Sequence, residues 1–280
     1  MESVTASQPR EQGRVATDYA KLGTIRELWD YRELFYFLAW RDIKLRYKQT
    51  ALGVLWVVLQ PLFTMVVFTL LFGKLAKIPT DGIPGPIFYF SALLPWTYFS
   101  STLINAGSSL VANSNLLTKI YFPRIILPAA AVLSGLLDFL IASTLLVGFI
   151  AYYRIPLGWH LLLWPALVVP LALLALGVGS YLAALNVKYR DIRYAIPFVI
   201  QLWFFATPII YPSSFIPERF QWLLALNPLT WIIEACRGAL VPSQTIHWGP
   251  LALSFAVNVT IFIAGVAYFK RAERAFADVI

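Results

Sequence analysis

Cysteine, histidine and charge are all scarce in this chain of 280 residues. The single cysteine, Cys236, excludes an intramolecular disulfide and any zinc or iron–sulfur centre built on cysteines. The two histidines, His160 and His247, stand at loop edges several apolar runs apart, with no HExxH and no carboxylate cluster at metal spacing. No G-x-x-x-x-G-K-[ST] loop occurs. The nearest piece, Gly73-Lys74, lacks the upstream glycine and the hydroxyl, so this chain has no phosphate cradle of its own. Gly177, Gly179 and Ser180 do not make a nucleophile elbow, because no His or Asp is placed to serve them. These absences argue against an enzyme and against a cofactor held by this chain. Charged residues make up 13% of the chain against 59% hydrophobic, which is too apolar for a water-soluble domain of this length.

What is abundant is apolar sequence in long runs. Six stand out: Ala51–Phe72, Ile87–Val111, Ile125–Tyr153, Leu161–Leu185, Ala195–Tyr211 and Trp248–Phe269. Most exceed the roughly 20 residues that cross a bilayer as a helix. The fifth is short and carries Pro208 and Pro212 at its end, which predicts a stop or a bend there. The expected fold is therefore an all-α integral membrane protein with six transmembrane helices. The net charge of +8 points to topology rather than to nucleic acid, because the cations fall in the short loops between apolar runs. With both termini on one side, that side holds 17 of the 22 Lys and Arg, and the positive-inside rule places both termini in the cytosol.

The chain divides accordingly. Residues 1–22 read as a cytosolic tail, polar throughout and without the short apolar core of a signal peptide. Residues 23–50 hold an amphipathic helix opened by Thr24 and Glu27 as a capping box, then a basic junction of Arg41, Lys44, Arg46 and Lys48. Residues 51–270 are the six-span domain, and 271–280 a cytosolic C-terminal tail. Between spans five and six, about 213–241, two short apolar pieces flank Asn227-Pro228. Neither is long enough to cross, which predicts a re-entrant helical hairpin, with Glu234 and Arg237 three apart and able to pair. Asp138, in the middle of span three, reads as a hydrogen-bonded structural acid, one acid being a thin proton relay.

Aromatics are the informative excess, at 16% with 10 Trp. Tyr152, Tyr153, Trp159 and Trp164 fit an interfacial belt. Trp56 in span one and Trp203, Phe204, Phe205 and Tyr211 in span five suit a path for a sliding glycan, because ring faces meet the C–H faces of sugars. Phe204 and Tyr211, seven apart, lie two turns apart on the same helix face and form the best path-lining pair.

Four stretches in this order carry a family resemblance: RDIKLRYKQTALGVLWVVLQP (41–61), NSNLLTKIYFPRIILP (113–128), NVKYRDIRYAIP (186–197) and NPLTWIIEACRG (227–238). With them the chain resembles the membrane subunits of ABC transporters that export polysaccharides such as lipid-linked O-antigen or teichoic acid. The resemblance implies a homodimer with two copies of a separate P-loop ATPase that binds ATP and Mg, in the bacterial inner membrane. It implies that Trp29 on the N-terminal helix and Asn115, Leu116, Lys119, Tyr121 and Arg124 in the 113–124 loop seat the ATPase. Spans one and five would border the path of a polyprenyl-diphosphate-linked glycan, and Asn227, Pro228, Glu234 and Arg237 would belong to its outer gate. A diphosphate arriving from the cytosolic leaflet needs cations at headgroup level, where Arg41, Lys44, Arg46 and Lys48 stand, although simple positive-inside anchoring accounts for these charges equally well. Rival readings are an exporter of a small lipid or drug with the same architecture, an ion-coupled secondary carrier, and a membrane-embedded enzyme. The carrier should show inverted repeats and several intramembrane charges, and neither is evident in the sequence.

Overall fold

The computed structural model describes residues 29–48, 53–120, 122–156, 158–189, 191–240 and 245–273, and among these every regular element is helical. The proposed capping box at Thr24 and the 1–22 tail lie outside the described residues. The first described helix, α1 (Arg32–Tyr47), runs straight through the basic cluster instead of stopping before it. Leu38 and Ala39 are buried in a small core with Phe122, Ile125, Ile126 and Phe269, while Tyr36, Phe37 and Trp40 face outward.

Helix α2 (Leu55–Phe68) passes without a break into a wider π-helical stretch, Thr69–Leu75. Pro61 lies inside it and removes one backbone hydrogen bond. Helix α3 (Gly85–Ala112) starts on a proline-rich turn, where a missing N–H costs nothing, and most of its length is buried. It is the axis of the bundle, with α2, α4 (Ile126–Tyr152), α5 (Val168–Lys188) and α6 (Ile192–Ala206) all packed on it. Helix α5 is led in by a turn at Trp159–Leu162 and a short helix at Leu163–Ala166.

The last helix, α9 (Trp248–Glu273), runs parallel to α5, as the contacts Asn258 with Pro170, Gly265 with Gly177 and Tyr268 with Tyr181 require. These two backbones meet at glycines: a Cβ built on Gly265 would lie 2.1 Å from the Gly177 carbonyl oxygen. Small residues at a helix crossing allow that approach. Helix α9 also outruns its apolar sequence, continuing past Phe269 through Lys270 and Arg271.

Among the described residues, five helices or helix runs are long and apolar enough to cross a bilayer, one fewer than the apolar runs suggested. The exception is α6, with 15 residues. It stops at Ala206 because Thr207 precedes a proline and takes extended backbone, φ −103° and ψ 139°. The expectation of a span reaching Tyr211 is therefore corrected. Because α5 ends where α9 also ends, the chain must travel back across the bundle between Lys188 and Trp248, and α6 makes the first part of that return. The remainder is a buried segment, 207–210, followed by two short helices, α7 (Gln221–Leu226) and α8 (Thr230–Leu240). Helix α8 packs on α3 and α9, and nine of its eleven residues are buried, so it belongs to the bundle core rather than to a surface lid.

Candidate functional site

Among the described residues, two connected polar clusters stand out in the apolar bundle, one beside the middle of α4 and one at the end where α6 stops. The first forms where α1 meets α3 and α4. The Arg46 guanidinium and the Tyr47 hydroxyl both donate to the Asp138 carboxylate, one to each oxygen. Burial pushes the Tyr47 phenol above its ordinary value, outweighing the lowering effect of Arg46, so it stays a donor at neutral pH. Asp138 stands near the middle of α4, so the ion pair lies well inside the length of that helix. One turn back along α1, Arg41 donates at 2.8 Å both to Asp42 and to the Asn113 side chain just past the end of α3. A cavity of about 360 Å³ opens beside Asp138, bounded by Trp56, Gln60, Thr97, Ser101 and Asn105.

This geometry changes the reading of several residues. Asp138 does have a basic partner, supplied by a helix far away in sequence. Of the four cations expected at headgroups, Arg46 is held by Asp138 and Arg41 by Asp42 and Asn113. Lys44 and Lys48 remain exposed, Lys44 lying 5.7 Å from the centre of the Trp40 ring. Trp56 lines the cavity with one side of its ring outward.

The second cluster lies where α6 stops. Asn227 is buried with its amide saturated. Its oxygen accepts from the Trp203 indole at 2.9 Å and the Leu229 N–H at 3.1 Å. Its nitrogen donates to the Ala206 carbonyl at 3.1 Å and the Thr207 hydroxyl at 2.9 Å. The buried Arg237 pairs with Glu234 at 3.1 Å, donates to the Ile209 carbonyl at 2.9 Å, and lies 3.8 Å from the centre of the Phe88 ring. Glu234 in turn accepts from the Ser213 N–H at 3.1 Å. Together with the buried Pro228, these groups fasten the 207–213 segment to α8.

The α6 aromatics divide. Trp203 is tied to Asn227 and packs edge-on against Phe99, with centres 5.1 Å apart. Phe204 sits between Trp96 and Phe68, at 5.4 and 6.0 Å. Phe205 faces outward. Tyr211 lies beyond the helix end, donating to the Phe205 carbonyl at 3.2 Å, so Phe204 and Tyr211 do not form two turns of one face.

In the 113–124 connection, Ser114–Leu117 makes one helical turn with Asn115 and Lys119 exposed and Leu116 partly covered. Arg124 is engaged at the end of α9, its backbone N–H donating to the Glu273 carboxylate at 2.9 Å and its side chain to the Glu273 carbonyl at 3.1 Å. Trp29 is exposed, and Tyr121 lies outside the described residues. Sequence reasoning missed Tyr47 and the α3 polar row of Thr97, Ser101 and Asn105. Thr97, Ser101 and Asn105 do recur every four positions in the sequence, but Ser91, Ser100, Thr102 and Ser108 of the same run mask that spacing.

Comparison with known proteins sets this architecture in context. Residues 33–241 match the family described as ABC-2 type transporter. The chain belongs to that family. It is 35% identical over 260 residues to the O-antigen export system permease protein RfbA of Myxococcus xanthus, covering 91% of this chain and 98% of that one. It is 28% identical to the protein of the same name from Klebsiella pneumoniae, covering 86% of this chain and 92% of that one. It is 27% identical to the polysialic acid transport protein KpsM of Escherichia coli, covering 84% and 92%. Family and helix content together make this chain a multi-pass membrane protein of the permease type.

Proposed function

We propose that this chain is the membrane subunit of an ATP-driven exporter that moves polyprenyl-diphosphate-linked polysaccharide across the bacterial inner membrane. It works as a homodimer with two copies of a separate P-loop ATPase. The observation that carries this reading is its similarity, over 91% and 84% of its length, to an O-antigen export permease and a polysialic acid transport protein, which differ in glycan. Both termini are cytosolic and the chain crosses six times, α6 and the 207–212 segment making the return that α5 and α9 demand. The 213–241 region is the outer gate, and α1 starts at the cytosolic end and packs along α4, with Trp29 ahead of it and Tyr36 and Phe37 toward lipid or partner. Trp29, Asn115, Leu116 and Lys119 contact the ATPase, and Arg124 braces that loop against α9. Lys44 and Lys48 are the cations still open to a diphosphate headgroup. The outward faces of α2 and α6, carrying Phe63, Phe198 and Phe205, border the path or the second copy.

Deleting this gene together with that of the partner ATPase, then restoring one or both, tests the assignment. Surface polysaccharide should vanish on deletion and return only with both proteins. Unchanged polysaccharide with altered resistance to lipophilic drugs would point to the small-molecule exporter instead. The purified chain alone should not hydrolyse ATP.

A further inference from the structure

Thr97, Ser101, Asn105 and Ser109 recur every four residues along α3, and Asn113 continues the row just past its end. Residues four apart form one inclined ridge on a helix. At about 1.5 Å per residue the row covers roughly 24 Å, more than half the length of α3. Two cavities lie against it. The one already described, about 360 Å³, takes the Thr97–Asn105 part of the row, with Trp56 and Gln60 of α2 opposite. A second, about 370 Å³, takes Asn105, Ser109 and Asn113 against α1. Arg46 and Asn105 border both, so the cavities adjoin there and the polar row runs past both as one track in largely apolar walls. It leads from the basic end of the bundle, beside Arg41 and Asn113, to the start of α2.

The chemistry of this track selects a ligand class. Each cation on it faces a carboxylate, Arg46 with Asp138 and Arg41 with Asp42, which leaves no unmatched positive charge for a phosphate. Hydrogen-bonding capacity is nevertheless open: among the described residues, the side chains of Gln60, Thr97 and Asn105 make no hydrogen bond. Each amide offers two donors and an acceptor. Trp56 supplies an apolar ring a turn from Gln60 on α2. Neutral groups rich in both donors and acceptors, beside one aromatic face, complement a neutral polyhydroxylated ring. A cavity of 360 Å³ also lies within the roughly 300–1,000 Å³ of small-molecule sites.

We infer that this track is a glycan site inside a single subunit, where uncharged sugar units bind between Trp56 of α2 and the Thr97–Asn113 row. Gln60, Thr97 and Asn105 hydrogen-bond their hydroxyls, and the Arg46–Asp138 pair holds α1 in place along the track. The inference rests on the reading of the chain as a polysaccharide exporter, and adds the site and the class of unit it takes.

The test uses the full chain with its ATPase in cells that make the polysaccharide. Trp56 is replaced by photoreactive p-benzoyl-phenylalanine, and Val147, exposed on α4, by the same residue as a control. After illumination the chain is purified and stained for carbohydrate. Glycan should be attached at position 56 and not at 147. Adding Gln60→Leu with Asn105→Leu should lower capture roughly tenfold or more through loss of two hydrogen-bonding groups, at unchanged protein level. An exporting strain with no glycan at position 56, or capture indifferent to the two amides, overturns the inference while leaving the exporter reading standing; the track is then a water-filled gap around an ion pair. If the position-56 variant fails to accumulate, the amide pair decides alone. Full surface polysaccharide from Gln60→Leu with Asn105→Leu at normal protein level overturns the site. Failure of the unmodified chain to restore polysaccharide removes the exporter reading, and this inference with it.

Discussion

Asp138 is held by two donors on α1, and the balance of that pair can be tested by breaking it in two ways. Asp138→Leu alone strands the Arg46 charge, and stranding a buried partner costs about 3–5 kcal/mol. Here the two side chains are 30% and 19% exposed, so about 1–3 kcal/mol is the reasonable scale. Arg46→Met with Asp138→Leu removes both charges and should recover most of the loss. Thermal aggregation midpoints of the detergent-solubilised variants check this, and a double variant as weak as the single would mean the pair contributes more than mutual neutralisation. Asn227 makes the same point with neutral groups. Asn227→Asp removes both donors, to Ala206 and Thr207, and places a carboxylate there. A buried acceptor left unsatisfied costs about 1–3 kcal/mol. The variant should expose the 207–217 segment to added protease in membranes, whereas unaltered digestion would show the anchor to be dispensable.

At the scale of elements, the α5–α9 crossing is set by how closely two backbones can approach. Gly265→Ala places a methyl 2.1 Å from the Gly177 carbonyl oxygen, so the helices must separate. Overpacking of this kind costs about 1–3 kcal/mol. Gly148→Ala on α4 meets nothing within 4 Å and should be neutral or mildly stabilising. Comparing the yield of folded protein for the two separates helix crossing from helix propensity. Equal yields would show that the crossing tolerates separation. Helix α6 presents the complementary case. In sequence Phe204 pairs with Tyr211 on one face, yet the chain turns at Thr207, and Trp203 and Phe204 pack inward while Phe205 does not. Phe205→Ala should therefore reduce polysaccharide export at normal protein level, while Phe204→Ala should lower the protein level itself. Immunoblots beside surface-polysaccharide assays distinguish the two.

For the whole molecule the decisive quantity is orientation. Cysteines placed at Lys77 and Arg154, both exposed at the end remote from the basic loops, should react with an impermeant maleimide added outside. A cysteine at Lys119 should react only after the membrane is opened. The native Cys236 is buried and should contribute little background. Reversed labelling would invert the assignment of gate and ATPase surface. In the assembled complex, Lys119→Glu should leave both proteins together but slow export, since the side chain is exposed and off the bundle core. Normal export would remove the loop from the mechanism.

Membrane class, the helical fold and the five long spans were legible in the sequence, because a bilayer demands apolar length and internal backbone pairing, and both are local properties. The family was legible too, in four motifs whose order survives in the chain. Pairing of Glu234 with Arg237 could be anticipated because three residues on one helix are neighbours whatever else the chain does. The partners of Asp138 could not be. Arg46 and Tyr47 lie more than ninety positions away and reach it only because α1 packs along α4. The same holds for Asn227, whose amide ties the end of α6 to the start of α8, and for Phe204, whose partners come from α2 and α3. Periodicity tells which residues share a helix face. Which face meets which helix is decided by the summed packing of the bundle, and only the tertiary structure records that choice.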